Sequence, residues 1–267
     1  MKELAFYYML RIRFSAPVTD HRFSIRCVPQ DNERQKIRQM EISVLPRKSL
    51  SNSLDSFGNY CIFGHCKKPH DLFQVVVKGT ACTGMAAAEY AGKDYQMGRY
   101  RYQTAYTRPG PALTAFFQQF VFREGASNLE KSRQMMEALY QNFSYVQGAT
   151  DFTTTAEQAM ELRKGVCQDY SHILIALCRM AGIPARYVVG MLIGEGASHA
   201  WVEIFDNEYW IGLDPTNMLV VNDEHIKISN GRDYNDCVIN QGIMVGNAQQ
   251  SQEVEVLVQE ITGSEGL

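Results

Sequence analysis

No stretch of this 267-residue chain approaches the roughly 18 consecutive apolar residues that a membrane-spanning helix requires. An excess of positive charge is missing as well. The 26 Lys and Arg stand against 29 Asp and Glu, mixed along the chain, for a formal net charge of -3. That leaves no electrostatic footprint for nucleic acid or for an acidic membrane surface, so neither is expected as a partner. The opening residues, Met1 to Arg11, lack the apolar run and small-residue cleavage site of a secretory signal. An even cysteine count is lacking too. Seven thiols in a chain too long to need stapling point to free cysteines in a reducing compartment, and the expected location is cytoplasmic. Internal repeats and low-complexity segments are absent.

What is present is the composition of an ordinary globular protein, 45% apolar and 21% charged, long enough for one large domain or two modest ones. Up to about Thr83 the sequence alternates apolar and polar residues in short runs: Phe6 to Phe14, Ile42 to Leu45, Tyr60 to Phe63 and Phe73 to Lys78. Turn-forming residues separate them at Asp31-Asn32, Ser51-Asn52-Ser53 and Phe57-Gly58-Asn59. This pattern predicts an antiparallel β-domain over residues 1–85, arranged as a small sandwich.

Beyond a tyrosine-rich connection, Tyr90 to Tyr106, the period changes. Pro109-Gly110-Pro111 introduces Leu113, Phe116, Phe117, Phe120 and Val121 on one helical face. Ser127-Asn128-Leu129-Glu130 is a capping box for a second helix, and Thr155 can cap a third that ends at Gly165. The next helix buries Tyr170, Ile173, Leu174, Leu177 and Cys178, and stops at Gly182 and Pro184. Three strands follow, Ala185 to Leu192, Ala200 to Phe205 and Tyr209 to Leu213, with a tight turn at Asp206-Asn207-Glu208. Helices packed on an antiparallel sheet give an α+β core over residues 86–267. A last β-like run, Val254 to Val258, could return to either sheet.

The chemistry-bearing residues lie within this core. Cys167 falls at a helix N-terminus, where unpaired amides and the helix dipole favour an anion and can also bind an oxyanion. His199 enters one strand and Asp214 ends the next. Equal segments, 200–206 and 207–213, set the two residues opposite each other. A thiol needs a base, and the base needs a third group to fix its tautomer, so the three together predict a cysteine nucleophile. Singly, each has a plainer explanation: a buried structural thiol, a satisfied core histidine, an Asp-Pro turn.

The run Gly165-Val-Cys-Gln-Asp-Tyr-Ser-His172 resembles the transglutaminase-like superfamily, as do Gly182 to Gly190, Ser198-His-Ala-Trp-Val-Glu203 and Asp214-Pro-Thr-Asn217. It is most similar to bacterial members described as candidate cysteine proteases. Gly231-Arg-Asp-Tyr-Asn-Asp236 and Asp55-Ser-Phe-Gly-Asn59 extend the likeness to both ends of the chain. Cys237 and Asn240 depart from it. The resemblance implies a papain-like core with Cys167 as nucleophile, His199 as base and acid, and Asp214 as orienting group.

Other residues carry lesser expectations. Gln168 is a supporting residue beside the nucleophile, and Trp201, on the face of His199, either lines the groove or shields the imidazole. His172 projects about 140° away from Cys167 around the helix, which fits a structural hydrogen bond. Asp169 serves the helix N-terminus and Arg186 a buried ion pair. Cys61, His65, Cys66 and His70 do not have zinc spacing, and no calcium loop is found, so no metal or cofactor is expected. The predicted activity is cleavage of a peptide or protein amide through a thioester, a cysteine protease or amidase. Transfer to an amine and a non-catalytic binding module are the alternatives, and the oligomeric state stays open.

Overall fold

Residues 1–46, 49–92 and 95–262 are described in a computed structural model, in which strand outweighs helix, 46% to 20%. The chain opens with β1 (Lys2–Ile25), β2 (Gln35–Leu45), β3 (Leu50–Leu54), β4 (Tyr60–Cys66), β5 (His70–Thr83) and the short β6 (Glu89–Tyr90). Helices then dominate: α1 (Pro111–Phe117), α2 (Asn128–Asn142), β7 (Ser144–Tyr145), α3 (Ala156–Leu162), β8 (Lys164–Gly165) and α4 (Cys167–Met180). Strands return as β9 (Ala185–Leu192), β10 (Gly194–Gly196), β11 (His199–Asp206), β12 (Tyr209–Asp214), β13 (Leu219–Val220), β14 (His225–Gly231), β15 (Asn240–Val245) and β16 (Gln250–Glu260).

β1 organises the first sheet. Its period-2 pattern turns Leu4, Phe6, Tyr8, Leu10, Ile12 and Phe14 inward. They pack with Phe73, Val75 and Val77 of β5 and Val256 and Val258 of β16. Each side chain fully buried this way contributes roughly 1.5–3 kcal/mol. The first half of β1 pairs with β5 and β16, and the second half with β4 and β15. Register shifts between Arg13 and Val18 against β5, and between Thr19 and Arg22 against β15, mark where the sheet curls.

The eight-stranded first sheet is therefore larger than the expected sandwich and takes in β10, β15 and β16 from the far end of the chain. β16 answers the question left open for Val254 to Val258, since it lies against β1 in the first sheet. Ser51-Asn52-Ser53, expected as a turn, lies inside β3, an exposed edge strand held by backbone pairing to β4. Such a strand buries nothing on either face, so no alternation marks it.

The second sheet runs β13-β12-β11-β9-β14, with β6 also against β12. α4 lays Ile173, Leu174 and Leu177 on β9 and β11, against Tyr187, Val189, Val202 and Ile204. Capping boxes at Ser127/Glu130 and Thr155/Gln158 start α2 and α3 as expected. α1 is shorter than predicted. It ends at Phe117, Phe120 packs on the core from the following loop, and Val121 is exposed. Met191, farther along β9 on the face that bears Tyr187 and Val189, joins Ile226 and Ile228 of β14 in the first sheet's core, which fixes the two sheets against each other. Among the described residues, no helix is long and apolar enough to cross a membrane.

Candidate active site

Cys167 is the first residue of α4, and its N-cap, Val166, has no side chain able to bond the helix amides. The carboxylate of Asp169 supplies the cap, accepting from Val166 N–H at 2.8 Å and from the Thr150 hydroxyl at 2.7 Å. Burial pushes the Asp169 carboxyl upward in spite of these bonds. A Cβ on Gly165 would come within 2.4–2.7 Å of the Asp169 side chain, so only glycine leaves room for this cap. The first two amides of α4, on Cys167 and Gln168, have no protein partner among the described residues. They are the orphan donors of a helix start and sit beside the thiol.

His199 begins β11, and the β11–β12 hairpin brings Asp214 to it. The turn has positive φ at Asn207 (46°) and Glu208 (73°), the signature of a two-residue type I′ connection. With two turn residues, Val202 pairs with Leu213, and Asp214 comes level with Trp201, two residues from the expected position. The side chains meet on the diagonal instead, with His199 Nε2 and Asp214 Oδ2 at 2.7 Å. The remaining ring nitrogen, Nδ1, is the one left for the thiol of Cys167, which lines the same cavity as the imidazole.

The electrostatics follow from burial opposed by bonding. Burial alone would depress the imidazole of His199, but the Asp214 carboxylate and the Cys167 side chain outweigh it and push the ring up to about 10. Asp214 is fully buried. Its burial penalty is exceeded by the bonds from His199 and Asn217, which hold its carboxyl well below the usual range. Asn217 Nδ2 donates to Oδ2 at 2.8 Å, and the Thr216 and Asn217 amides donate to Oδ1. The Asp-Pro-Thr-Asn segment is thus a cage that fixes the carboxylate.

His225, which no sequence motif singled out, is the second imidazole on this carboxylate. It comes from β14, with Nε2 at 3.3 Å from Asp214 Oδ2. The nitrogen and oxygen atoms of His199, Asp214 and His225 lie within 4.8 Å of one another, a spacing that the approach of both imidazoles to Oδ2 accounts for. The only sequence signal was a histidine at the head of an alternating strand, too common to single out.

The other expected residues fall as follows. Trp201 is fully buried and stacks edge-on against His225 at 5.3 Å, so it backs the imidazoles and stays out of the groove. Gln168 lines the groove, its side-chain amide donating to Phe152 O at 3.3 Å. His172 is buried, accepts from Tyr234 N–H and is pushed down to about 3 by burial, a structural role. Arg186 lies in an ion-pair cluster with Glu89, Glu203 and Lys227. Cys61 bonds Asp55 and His65 bonds Asp20, while Cys66 and His70 both donate to Lys68 O, and all seven cysteines are free.

A cavity of about 450 Å³ opens over Cys167 and His199. Tyr8 and Leu10 of β1 and Gln252 and Val254 of β16 form one wall, so the first sheet completes a groove that the second begins. Among the described residues, no Asp, Glu, Lys or Arg lines it. Another cavity of about 350 Å³, lined by Phe6, Met40, Glu41 and Lys78 on the first sheet, contains none of Cys167, His199 and Asp214.

Residues 115–215 match the model of the transglutaminase-like superfamily, and residues 5–81 match that of the bacterial transglutaminase-like N-terminal region. An uncharacterized protein of Mycobacterium tuberculosis is 27% identical over 274 residues, covering 90% of this chain and 86% of that one. A protein-glutamine gamma-glutamyltransferase of Pseudomonas aeruginosa is 35% identical over 69 residues, 21% of this chain and 10% of that one. A solved structure of a candidate cysteine protease from Cytophaga hutchinsonii is 20% identical. It superposes with a TM-score of 0.77 over 99% of this chain and 92% of its own, which establishes a common fold.

Proposed function

Because the chain carries a transglutaminase-like core behind a bacterial transglutaminase-like N-terminal region, we propose that it is a cysteine-dependent acyl-transfer enzyme that hydrolyses peptide or side-chain amides. The observation that carries this is the ordering of the His199 ring: Nε2 on Asp214 at 2.7 Å, Nδ1 left for Cys167. Asp214 fixes the tautomer and balances the charge that forms when the imidazole holds the thiol proton.

In the first step the Cys167 sulfur attacks the amide carbonyl, and the free amides of Cys167 and Gln168 receive the oxyanion. His199 then passes the proton to the departing amine as the C–N bond breaks, leaving a thioester on Cys167. In the second step His199 takes a proton from water as the water oxygen attacks the thioester carbonyl. The C–S bond breaks, His199 returns the proton to the Cys167 sulfur, and the acid leaves as carboxylate with its proton lost to solvent. The uncharged groove over the pair suits an uncharged peptide segment with amide-bearing side chains.

An amine acceptor in place of water is the second reading, favoured by the 69-residue likeness to the Pseudomonas transferase. Both reactions use the same three side chains. Iodoacetamide trapping followed by intact mass tests the common part. Fast single-site alkylation is expected in the wild type, absent in Cys167→Ala and slowed in His199→Ala. If Cys167 reacts no faster than the other six thiols, the nucleophile is not activated and a binding role takes precedence. Peptide amides supplied with and without a primary amine then separate hydrolysis from transfer.

A further inference from the structure

Each ring nitrogen of His225 faces an acceptor oxygen. Asn222 Oδ1 accepts the Glu224 amide at 3.0 Å, which fixes the orientation of that side chain. The same oxygen lies 3.0 Å from His225 Nδ1, closer than Asp214 Oδ2 lies to Nε2, and the shorter contact assigns the N–H of the neutral ring to Nδ1. A neutral imidazole has a single N–H. Neutral His225 therefore turns the lone pair of Nε2 toward Asp214 Oδ2, and only protonated His225 can donate to that oxygen. The separations agree with the difference: 2.7 Å from His199, which donates, and 3.3 Å from His225.

We propose that His225 is a positioning residue of this site, a second imidazole on Asp214 whose protonation competes with His199 for Oδ2. This rests on the acyl-transfer reading of Cys167, His199 and Asp214. Charged His225 takes a share of the carboxylate, weakens its hold on His199 and so weakens the support of the thiolate. Neutral His225 leaves the carboxylate to His199 and packs against its far side.

The groups that face His225 set the direction of its titration. Burial against Trp201 comes first and disfavours the cation. Asp214 favours the cation, while His199 across the sheet and Arg34 from the segment before β2 oppose it. Beyond Trp201 lie Glu89, Glu203 and Lys227, which with Arg186 are already paired among themselves. The balance leaves His225 below the ordinary histidine value, so it is neutral at pH 7 and charges on acidification. When His199 gives its proton to a leaving amine, one opposing charge disappears and the proton affinity of His225 rises.

The test uses the whole chain with ¹⁵N-labelled histidine, which gives six ring systems assigned by single substitutions. At pH 7 His225 is expected as the Nδ1–H tautomer, and His199→Asn is expected to raise its titration midpoint by about one unit. In parallel, the alkylation rate of Cys167 is followed against pH in wild type and His225→Gln, whose amide can donate to Oδ2 without titrating. The wild-type acid limb should show two protonation events and the Gln variant one, with the Gln variant slower at pH 7 because its amide holds a share of Oδ2 at every pH. An Nε2–H tautomer, a midpoint indifferent to His199→Asn, or coincident pH profiles would each overturn the proposal. If Cys167 shows no fast alkylation at all, the acyl-transfer reading fails, and the NMR coupling alone still decides whether His225 shares the carboxylate.

Discussion

Asp214 lies level with Trp201 on the neighbouring strand, yet its Oδ2 meets Nε2 of His199, two residues away along β11, at 2.7 Å. The diagonal contact has a thermodynamic signature. His199 is raised from 6.5 to about 10, so its contribution to stability is fully present below pH 6.5 and is lost as pH rises through about 10. Asp214 is depressed, so its contribution is present above pH 3.8 and is lost as pH falls toward its folded value. Cys167→Ala removes the thiol's own titration and keeps the Asp214 bond, the larger of the two raising contacts. Urea unfolding of Cys167→Ala should show stability falling with pH above about 6.5, by at most about 1.4 kcal/mol per pH unit for one proton. Without the thiol, the window closes earlier than in the wild type. The Cys167→Ala, Asp214→Asn double variant should be flatter over that window. Parallel slopes would mean that the His199–Asp214 bond does not form in solution.

A second prediction concerns the joint between the sheets. Asp55 and Asn59, in the turn between β3 and β4, reach across to β14: Asn59 Nδ2 donates to Asn230 O, and Asn59 Oδ1 accepts Asn230 N–H, both at 2.8 Å. Asp55 Oδ2 in turn accepts from Asn59 Nδ2 and Arg26 Nε. Asn59→Ala would leave a buried amide and a buried carbonyl of Asn230 without partners. The expected loss is about 1–3 kcal/mol, read as a lower urea midpoint at unchanged slope. A variant within about 0.5 kcal/mol of wild type would mean that water replaces the clamp.

These two contacts show what was legible in the sequence. The capping boxes at Ser127 and Thr155, the helix after Gly165 and the strands after Pro184 could be read because local rules govern them: a cap, a 3.6 period, a glycine stop. Cys167, His199 and Asp214 could be paired because one hairpin and one helix start bring them together. The register was misjudged by two residues because the turn is Asn207-Glu208 alone. Nothing local shows that β16 will cross back to β1, or that His225 will reach Asp214 from beyond β9. Both depend on how the sheets stack, which no short window of sequence contains.

Gly190 offers a third prediction. It pairs with His199 in the β9–β11 ladder, and a Cβ there would lie 2.3 Å from the Trp201 ring and 2.3 Å from Ile226 O. The missing side chain is what lets the indole lie behind the two imidazoles. Gly190→Ala should cost about 1–3 kcal/mol through overpacking and should slow Cys167 alkylation by displacing Trp201. Adding Trp201→Phe should recover part of the stability, since the two sites share the same space. If the two losses are additive, the indole is not the atom group in conflict.

The last prediction asks whether the first sheet is part of the active site. Gln252 sits on β16, at the opposite end of the chain from the strand it pairs with, and it lines the groove with its side chain exposed. Introducing charge there should hinder an uncharged peptide while leaving the Cys167–His199–Asp214 geometry intact. Gln252→Glu and Gln252→Arg should both raise KM for a neutral peptide amide with kcat nearly unchanged, the pattern of lost uniform binding. Iodoacetamide is too small to span the groove, so its rate with Cys167 should stay within about twofold of wild type. An effect of only one sign of charge would point to a charged substrate. No effect of either would place the bound peptide away from β16 and leave the first sheet a structural brace.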